Sequence, residues 1–166
     1  MEKKFELTDK FVINAFGIKL FQIKCTKAFK YANEGDLGGY VKKEDNLSQY
    51  GDAWVSGDAQ VYGNARVYGD ARVSGNARVY GNAQVYGDAR VENNHMHCGF
   101  DCFGSCNRHT HAYKTKGNKV EITCGCFRGS LEEFEKKVEE THKGTIYEKQ
   151  YKAIINLIKI KFGIDG

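Results

Sequence analysis

Seven consecutive hexads with the pattern G-[DN]-A-x-V-x fill the chain from Gly51 to Glu92, and a degenerate eighth hexad, Asp45–Tyr50, precedes them. A six-residue period with one Val, one Ala and one Gly fits neither the stripe of a helix nor the alternation of a hairpin. The repeat therefore predicts a solenoid of short parallel strands. Val and Ala should point inward, and the Gly-Asp or Gly-Asn pairs should form corners at positive φ.

The hexads resemble the hexapeptide-repeat superfamily of left-handed parallel β-helices. That resemblance implies three-sided coils in which three hexads make one turn. The side chains agree independently, because residues three hexads apart match where residues one or two hexads apart are mixed. The matching columns are Asp52, Asp70 and Asp88; Asn46, Asn64 and Asn82; Ser56 and Ser74; and Tyr50, Tyr68 and Tyr86.

Outward side chains of stacked coils should form ladders with a rung spacing of about 4.8 Å. Arg and aromatic residues dominate protein interfaces, so we expect a partner-binding face here. The alternative is that the rungs are solvated and keep the sheet faces soluble. The candidate binding residues are Trp54, Arg66, Arg72, Arg78, Arg90, Tyr62, Tyr68, Tyr80 and Tyr86.

Nucleic acid is not the expected partner of these ladders. Residues 51–92 contain four Arg, four Asp and one Glu, a net charge of −1, although the whole chain carries +4. The positive excess therefore lies in the flanking segments, away from the arginine ladders.

The flanks should cover the ends of the solenoid, where backbone groups would otherwise be unpaired. Near-alternating apolar residues in Phe5–Leu7 and Phe11–Phe29 predict an N-terminal β-hairpin cap with a turn at Asn14–Gly17. The segment Gly35–Tyr40 should lead into the coil. A second hairpin is predicted from Thr110–Lys116 and Lys119–Cys126 around Gly117-Asn118.

Two helices are predicted at the C-terminal end. Ser130 and Glu133 have the spacing of a capping box, so the first helix should start at Ser130. The second should run from Ile146 to Phe162 and end at Gly163. The expected fold is mainly β, with a β cap in residues 1–50, a β-helix in 51–92, and a small α+β module in 93–166 that opens with a His/Cys-rich loop, Asn93–Asn107.

The chain also resembles a narrower group, phage- and prophage-encoded proteins of unassigned function. The likeness rests on Gly35–Tyr40, the Asn46-Leu47-Ser48 segment, the hexads, Ala112–Thr115 and Cys124–Leu131. It implies a phage or mobile-element context and supplies no catalytic residues. The His/Cys-rich loop from His95 to Cys106 does not match this group's pattern.

The compartment is expected to be the cytoplasm of a bacterial host cell. The first ten residues alternate charged and apolar types without an apolar signal region. No stretch approaches the ~20 apolar residues of a membrane span, so no membrane partner is expected. The six cysteines then represent thiols or metal ligands and not a disulfide framework.

Soft metal ligands are concentrated between residues 95 and 126. Cys/His sets of this kind are typical of zinc sites, and the x₃ spacing of the cysteines meets the usual pattern loosely. The alternatives are exposed or core thiols and histidines, with Cys126 expected in the core. No cofactor is expected beyond this structural Zn²⁺, for which the candidates are His95, His97, Cys98, Cys102, Cys106, His109 and His111.

These observations favour a non-catalytic interaction protein that forms homo-oligomers and binds a host protein or small nucleotide, in the manner of a host-defence antagonist. The first alternative is a hexapeptide-repeat acyltransferase or metal-dependent enzyme. The resembling enzymes need His on the coils, and residues 51–92 contain none, which leaves His95 and His97. The second alternative is a purely structural oligomerisation module.

Overall fold

The computed structural model describes residues 2–164. It divides into two compact units, one reaching Asn94 and one starting at His95. The first unit contains a three-stranded N-terminal segment and the repeat. The second contains a four-stranded sheet and two helices. Among the described residues, no helix is both long enough and apolar enough to cross a membrane.

The N-terminal hairpin forms as predicted from β1 (Phe5–Ile13) and β2 (Lys19–Cys25). Its turn contains Gly17 at a φ of 75°, and the side chain of Asn14 accepts hydrogen bonds from the backbone N–H groups of Phe16 and Ile18. β3 (Leu37–Val41) pairs antiparallel with β2. The hairpin thus leads directly to a strand that belongs to the solenoid.

Each hexad of the repeat contributes one two-residue strand. The seven strands are β4 (Trp54–Val55), β5 (Gln60–Val61), β6 (Arg66–Val67), β7 (Arg72–Val73), β8 (Arg78–Val79), β9 (Gln84–Val85) and β10 (Arg90–Val91). They pair in parallel as three columns, β4-β7-β10, β3-β5-β8 and β6-β9. Trp54 lies opposite Arg72 and Val55 opposite Val73, which confirms coils of three hexads. The hand of the coil stays a prediction.

The interior of the coil is filled by the Val column, in which every side chain from Val55 to Val91 is fully buried. The Ala column beside it is buried as well, from Ala53 to Ala89. The seven repeat glycines turn the corners at φ values between 60° and 74°. Coils approach so closely there that a Cβ on Gly51 would lie 2.8 Å from the carbonyl oxygen of Gly69. Glycine is therefore required at these corners by both conformation and space.

Backbone hydrogen bonds run along the solenoid from the N–H groups of each coil to the carbonyls of the next. Trp54 N–H donates to Ala71 at 3.0 Å, and Gln60 N–H donates to Ala77 at 2.9 Å. The first hexads have no preceding coil. Their Gly and Ala carbonyls therefore receive no hydrogen bond from another coil of the repeat. Buried carbonyls of this kind require other donors.

Three different donors close this edge. On one face the backbone N–H of Tyr40 in β3 donates to Ala59 at 2.9 Å. On the second, the fully buried side-chain amide of Asn46 donates to the carbonyls of Gly63 at 3.2 Å and Ala65 at 2.8 Å.

On the third face, the Lys4 ammonium donates to the carbonyls of Gly51 at 3.2 Å and Ala53 at 2.8 Å. Lys4 is only 6% exposed. Burial lowers the pKa of Lys4 from 10.5 to about 8, although the negative charges of Asp52 and Cys25 partly oppose that effect. The ammonium therefore acts as a buried donor that replaces two backbone N–H groups.

The second unit is an antiparallel sheet of four strands, β11 (His97–Phe103), β12 (Arg108–Lys114), β13 (Val120–Cys124) and β14 (Phe127–Ser130). The predicted hairpin corresponds to β12 and β13 and is confirmed. The prediction of a loop across Asn93–Asn107 is wrong over β11. The Gly and Asn residues of this segment favour a loop, and Cys102 does have a φ of 65°. Hydrogen bonding to β12 nevertheless holds residues His97–Phe103 as a strand.

The two helices are α1 (Leu131–His142) and α2 (Ile146–Phe162). Ser130 caps α1 through the predicted capping box, and Gly163 ends α2 in the left-handed conformation. Both predictions are confirmed. The helices pack on one face of the sheet, where buried residues including Ala112, Ile122, Phe134 and Ile155 form the core of this unit. Cys126 is exposed, which corrects the expectation that it lies in the core.

Replacing Asn46 by Ala should destabilise the first unit by about 2 to 4 kcal/mol, because three hydrogen bonds at a buried edge are lost. Besides its two donations, Asn46 accepts from the backbone N–H of Lys43 at 3.0 Å. The matched control is Asn64→Ala in the same column, where the side chain is exposed and bonds to Asn82 at 3.4 Å. Its effect should stay within about 0.5 kcal/mol. Urea unfolding of both variants measures the difference, and equal losses would contradict the edge-closing role of Asn46.

The stability contributed by Lys4 should rise with pH between about 8 and 10.5. In this window the unfolded chain still binds a proton that folded Lys4 has released, so the free energy of unfolding increases with pH. The unfolding free energy of the wild type minus that of Lys4→Met should therefore grow from pH 8 to 10.5. Lys10→Met, an exposed position on β1, controls for the loss of one ammonium. A difference that falls over this range would refute a lowered pKa at Lys4.

Candidate functional sites on the solenoid and the histidine-bearing sheet

The ladder of Trp54, Arg72 and Arg90 is not the open surface that the sequence predicts. Trp54 is only 5% exposed, and the ring of Phe29 meets it edge-on with centroids 5.4 Å apart. Phe29 belongs to the segment between β2 and β3, which folds back on itself through a bridge to Ala32. Trp54 is therefore a buried packing residue and is withdrawn from the binding-face candidates.

Tyr31 organises the remainder of this ladder. The guanidinium groups of Arg72 and Arg90 lie 4.8 Å and 5.6 Å from its ring centroid. Arg90 also donates to the Tyr31 hydroxyl at 3.0 Å and to the Asp70 carbonyl at 2.9 Å. Arg90 is thus held within the solenoid unit, whereas Arg72 is exposed beside the tyrosine ring.

Asp70 is neutralised by cationic neighbours in the same cluster. Its carboxylate pairs with Lys30 at 3.1 Å and lies 3.8 Å from Arg90. Burial alone would raise the pKa of Asp70, but hydrogen bonds from Tyr31 and Lys30 outweigh it, and the net pKa is lowered. The carboxylate therefore stays ionised as a partner of cationic side chains.

A separate ladder consists of two stacked tyrosines, Tyr62 and Tyr80. The rings of Tyr62 and Tyr80 lie 5.3 Å apart at an interplanar angle of 13°. Tyr62 is only 6% exposed, whereas Tyr80 is 55% exposed and covers it. Burial raises the pKa of the Tyr62 hydroxyl, with Tyr80 adding to the effect and Arg78 opposing it. Tyr62 serves as a support, and the outer ring of Tyr80 and the side chain of Arg78 are exposed.

The other tyrosine ladder includes Tyr68 and Tyr86, whose rings lie 4.4 Å apart at an interplanar angle of 42° and whose side chains are both half-buried. The Tyr68 hydroxyl donates to the side chain of Gln84 at 2.9 Å, and Arg66 is exposed. Of the nine predicted binding residues, the structure leaves these exposed: Arg66, Arg72, Arg78 and Tyr80.

Three of the predicted metal ligands come together on one face of the sheet in the second unit. His97 lies on β11, and His109 and His111 lie two positions apart on β12. Gly99 lies directly opposite His111. Because residues two apart in a strand share a face, the three rings surround Gly99 on the face opposite the helices.

The distances within this histidine cluster, defined as His97, His109 and His111, are short. His97 Nδ1 and His111 Nε2 are 2.9 Å apart. His109 Nδ1 lies 2.6 Å from Asp101 Oδ1, and the His109 side chain is 9% exposed. Its other nitrogen, Nε2, is buried without a hydrogen-bond partner among the described residues. A Cβ on Gly99 would lie 2.6 Å from His109 Cε1, so the glycine makes room for the ring.

The other predicted metal ligands lie elsewhere. Cys98 packs toward the helix side of the sheet, where burial raises its thiol pKa to about 11. Cys102 and Cys106 are exposed, as is His95. Across residues 2–164, no three His, Cys, Asp or Glu side chains surround a common metal position in their present rotamers. The x₃ cysteine spacing does not produce a cysteine site among the described residues, because Cys102 lies at an irregularity of β11 with a φ of 65° and Cys106 lies beyond the end of that strand.

Sequence reasoning missed Tyr31 and Asp101, which organise the two candidate sites. Tyr31 lies outside the repeat, and its partners Arg72 and Arg90 are far away along the chain, so no local pattern links them. Asp101 could have been found only if β11 had been recognised as a strand, which places it near His109.

Comparison with known families matches the repeat alone. Residues 59–75, 71–85 and 83–96 match a family model described as YdcK Beta solenoid repeat. A comparison with curated proteins finds no match. The repeat is thus similar to a known β-solenoid repeat family, in agreement with the parallel columns of strands.

Proposed function

We propose that this protein is a non-catalytic interaction protein that binds a protein partner through the exposed arginines and tyrosine of its solenoid. The observation that carries the proposal is the exposure of Arg66, Arg72, Arg78 and Tyr80 on strands whose spacing the coil fixes. Arg66, Arg72 and Arg78 belong to three different strand columns, so each lies on its own face of the coil, and Tyr80 follows directly after the strand of Arg78. These four residues are called the solenoid set below.

Rigid presentation favours binding by this set. Arg72 lies beside the ring of Tyr31, and Tyr80 rests on Tyr62, so both lose less side-chain freedom when a partner covers them. Tyr and Arg are also the residue types enriched at binding hot spots. The set therefore combines suitable chemistry with preorganisation.

A protein partner is favoured over nucleic acid by charge. The repeat carries four Arg but also four Asp and one Glu, and Asp70 holds Lys30 and Arg90 in ion pairs. A polyanion would meet no net positive field along these residues. A small nucleotide is the second candidate, because the exposed ring of Tyr80 lies two positions after Arg78 in the same hexad and offers a surface for stacking on a base.

The proposal also includes the more specific properties that the sequence predicts for this protein. These are left-handed coils with an N-terminal cap, a phage or prophage origin, homo-oligomerisation, action in the host cytoplasm and antagonism of host defence. They rest on the resemblance of the hexads and flanks to those groups. Antagonism fits a binding protein, since occupying a partner's surface requires no chemistry.

Crosslinking tests the position of the partner. A photoreactive phenylalanine analogue at position 80 should crosslink a specific host protein in cell lysate, whereas the same analogue at Lys137, exposed on α1, should not. Arg72→Ala together with Arg78→Ala should weaken binding of that partner about tenfold or more, equivalent to about 1.4 kcal/mol.

The matched control is Lys136→Ala together with Lys137→Ala, which removes two cations outside the solenoid. Equal loss of binding in both double variants would indicate a general charge effect and contradict the proposal. Crosslinks to a nucleotide alone would favour the second candidate. Light scattering of the same variants measures whether self-association uses these residues.

A further inference from the structure

We infer that the histidine cluster is a binding site for Zn²⁺ or a similar divalent transition-metal ion, with His97, His109 and His111 as ligands and Asp101 orienting His109. This inference does not depend on the proposed binding role of the exposed solenoid residues. It depends on three features of the second unit: the His97–His111 contact, the orphaned nitrogen of His109, and the space above Gly99.

The first feature is the separation of 2.9 Å between His97 Nδ1 and His111 Nε2. One nitrogen must donate a proton to the other at this distance. Two nitrogens on one tetrahedral Zn²⁺ lie about 3.3 Å apart, given Zn–N bonds of about 2.0 Å. A metal ion can therefore replace the shared proton if the two rings separate by a few tenths of an ångström.

The ring positions agree with this geometry. The centroids of His97 and His111 are 5.2 Å apart, and those of His109 and His111 are 5.7 Å apart. Imidazoles on a single tetrahedral metal ion have centroids about 5 Å apart, given the same bond length. His111 is thus close to both of the other rings, at centroid distances that suit ligands of one ion.

The second feature is His109. Its Nδ1 bonds to Asp101, which fixes the tautomer with the proton on Nδ1 and leaves Nε2 as a lone-pair donor. That nitrogen is buried and unpartnered in the described structure. Native proteins rarely leave such a group unsatisfied. A carboxylate on one nitrogen and a metal on the other is the usual environment of a zinc-bound histidine.

The third feature is the absence of a side chain at Gly99. The His109 ring occupies the space that a Cβ would fill, and His111 is 1% exposed. The donors on His109 and His111 are thus largely shielded from water, whereas His97 is half-buried. Three nitrogen ligands suit Zn²⁺, Co²⁺ or Ni²⁺ and not Ca²⁺ or Mg²⁺, which prefer oxygen. A fourth tetrahedral position remains for water or an anion.

Titration of the purified, chelator-treated full chain with Co²⁺ and then Zn²⁺ tests the inference. One equivalent of Co²⁺ should bind per chain, with visible ligand-field bands and no thiolate charge-transfer band, and Zn²⁺ should displace it. Thiolate bands would assign the ion to Cys102 or Cys106 and overturn the inference. Absence of stoichiometric binding at micromolar Zn²⁺ would overturn it as well.

Variants locate the site. His109→Gln should weaken Zn²⁺ binding more than about 100-fold, beyond the loss expected when only a partner of a ligand is changed. Asp101→Asn should weaken it about 10- to 100-fold, and because Asp101 is 56% exposed this change spares the core. His95→Gln, an exposed histidine outside the cluster, is the matched control. Circular dichroism checks folding, and unchanged affinity in folded Asp101→Asn together with His109→Gln would overturn the inference.

Discussion

The hydrogen-bond ladder along the solenoid is the constraint on which the first unit depends. Every coil donates its N–H groups to carbonyls of the coil that follows, as Trp54 does to Ala71 and Arg72 does to Ala89. A ladder that runs in one direction must begin with unpaired acceptors, and such an edge invites pairing with another chain. The N-terminal segment resolves this with the amide of Asn46, the ammonium of Lys4 and the backbone of β3. Asn94 closes part of the other end by accepting from Arg78 N–H at 2.9 Å.

The repeat could be read from the sequence because its physics is local and periodic. Val, Ala and Gly recur in every hexad, and the variable positions recur in every third hexad, so both the coil and its buried column followed directly. The edge donors could not be predicted, since Lys4 reaches a carbonyl 49 positions away and a lysine side chain is ordinarily exposed. β11 was missed for a related reason: its Gly, His and Cys residues have weak strand propensity, and its pairing with β12 decides its conformation.

In the candidate sites, too, the features set by local periodicity could be predicted, and those set by distant segments could not. The outward direction of the repeat arginines follows from strand alternation, and Arg66, Arg72 and Arg78 are exposed accordingly. Whether a given rung stays accessible depends on segments outside the repeat, and Phe29 buries Trp54 where the sequence alone predicted an exposed aromatic. In the second unit, the His109-x-His111 spacing correctly predicted two rings on one face. Their partner His97 and the orienting carboxylate of Asp101 became recognisable only through the register of β11.

The coil register can be measured directly in solution through scalar couplings across backbone hydrogen bonds. A long-range experiment that correlates amide nitrogens with acceptor carbonyl carbons should connect Trp54 to Ala71, Gln60 to Ala77 and Arg72 to Ala89. These pairs share one offset, a single position short of three hexads, which only coils of three hexads produce. Correlations at another offset, or couplings confined to neighbouring hexads, would contradict the solenoid and the edge-closing roles of Lys4 and Asn46 that depend on it.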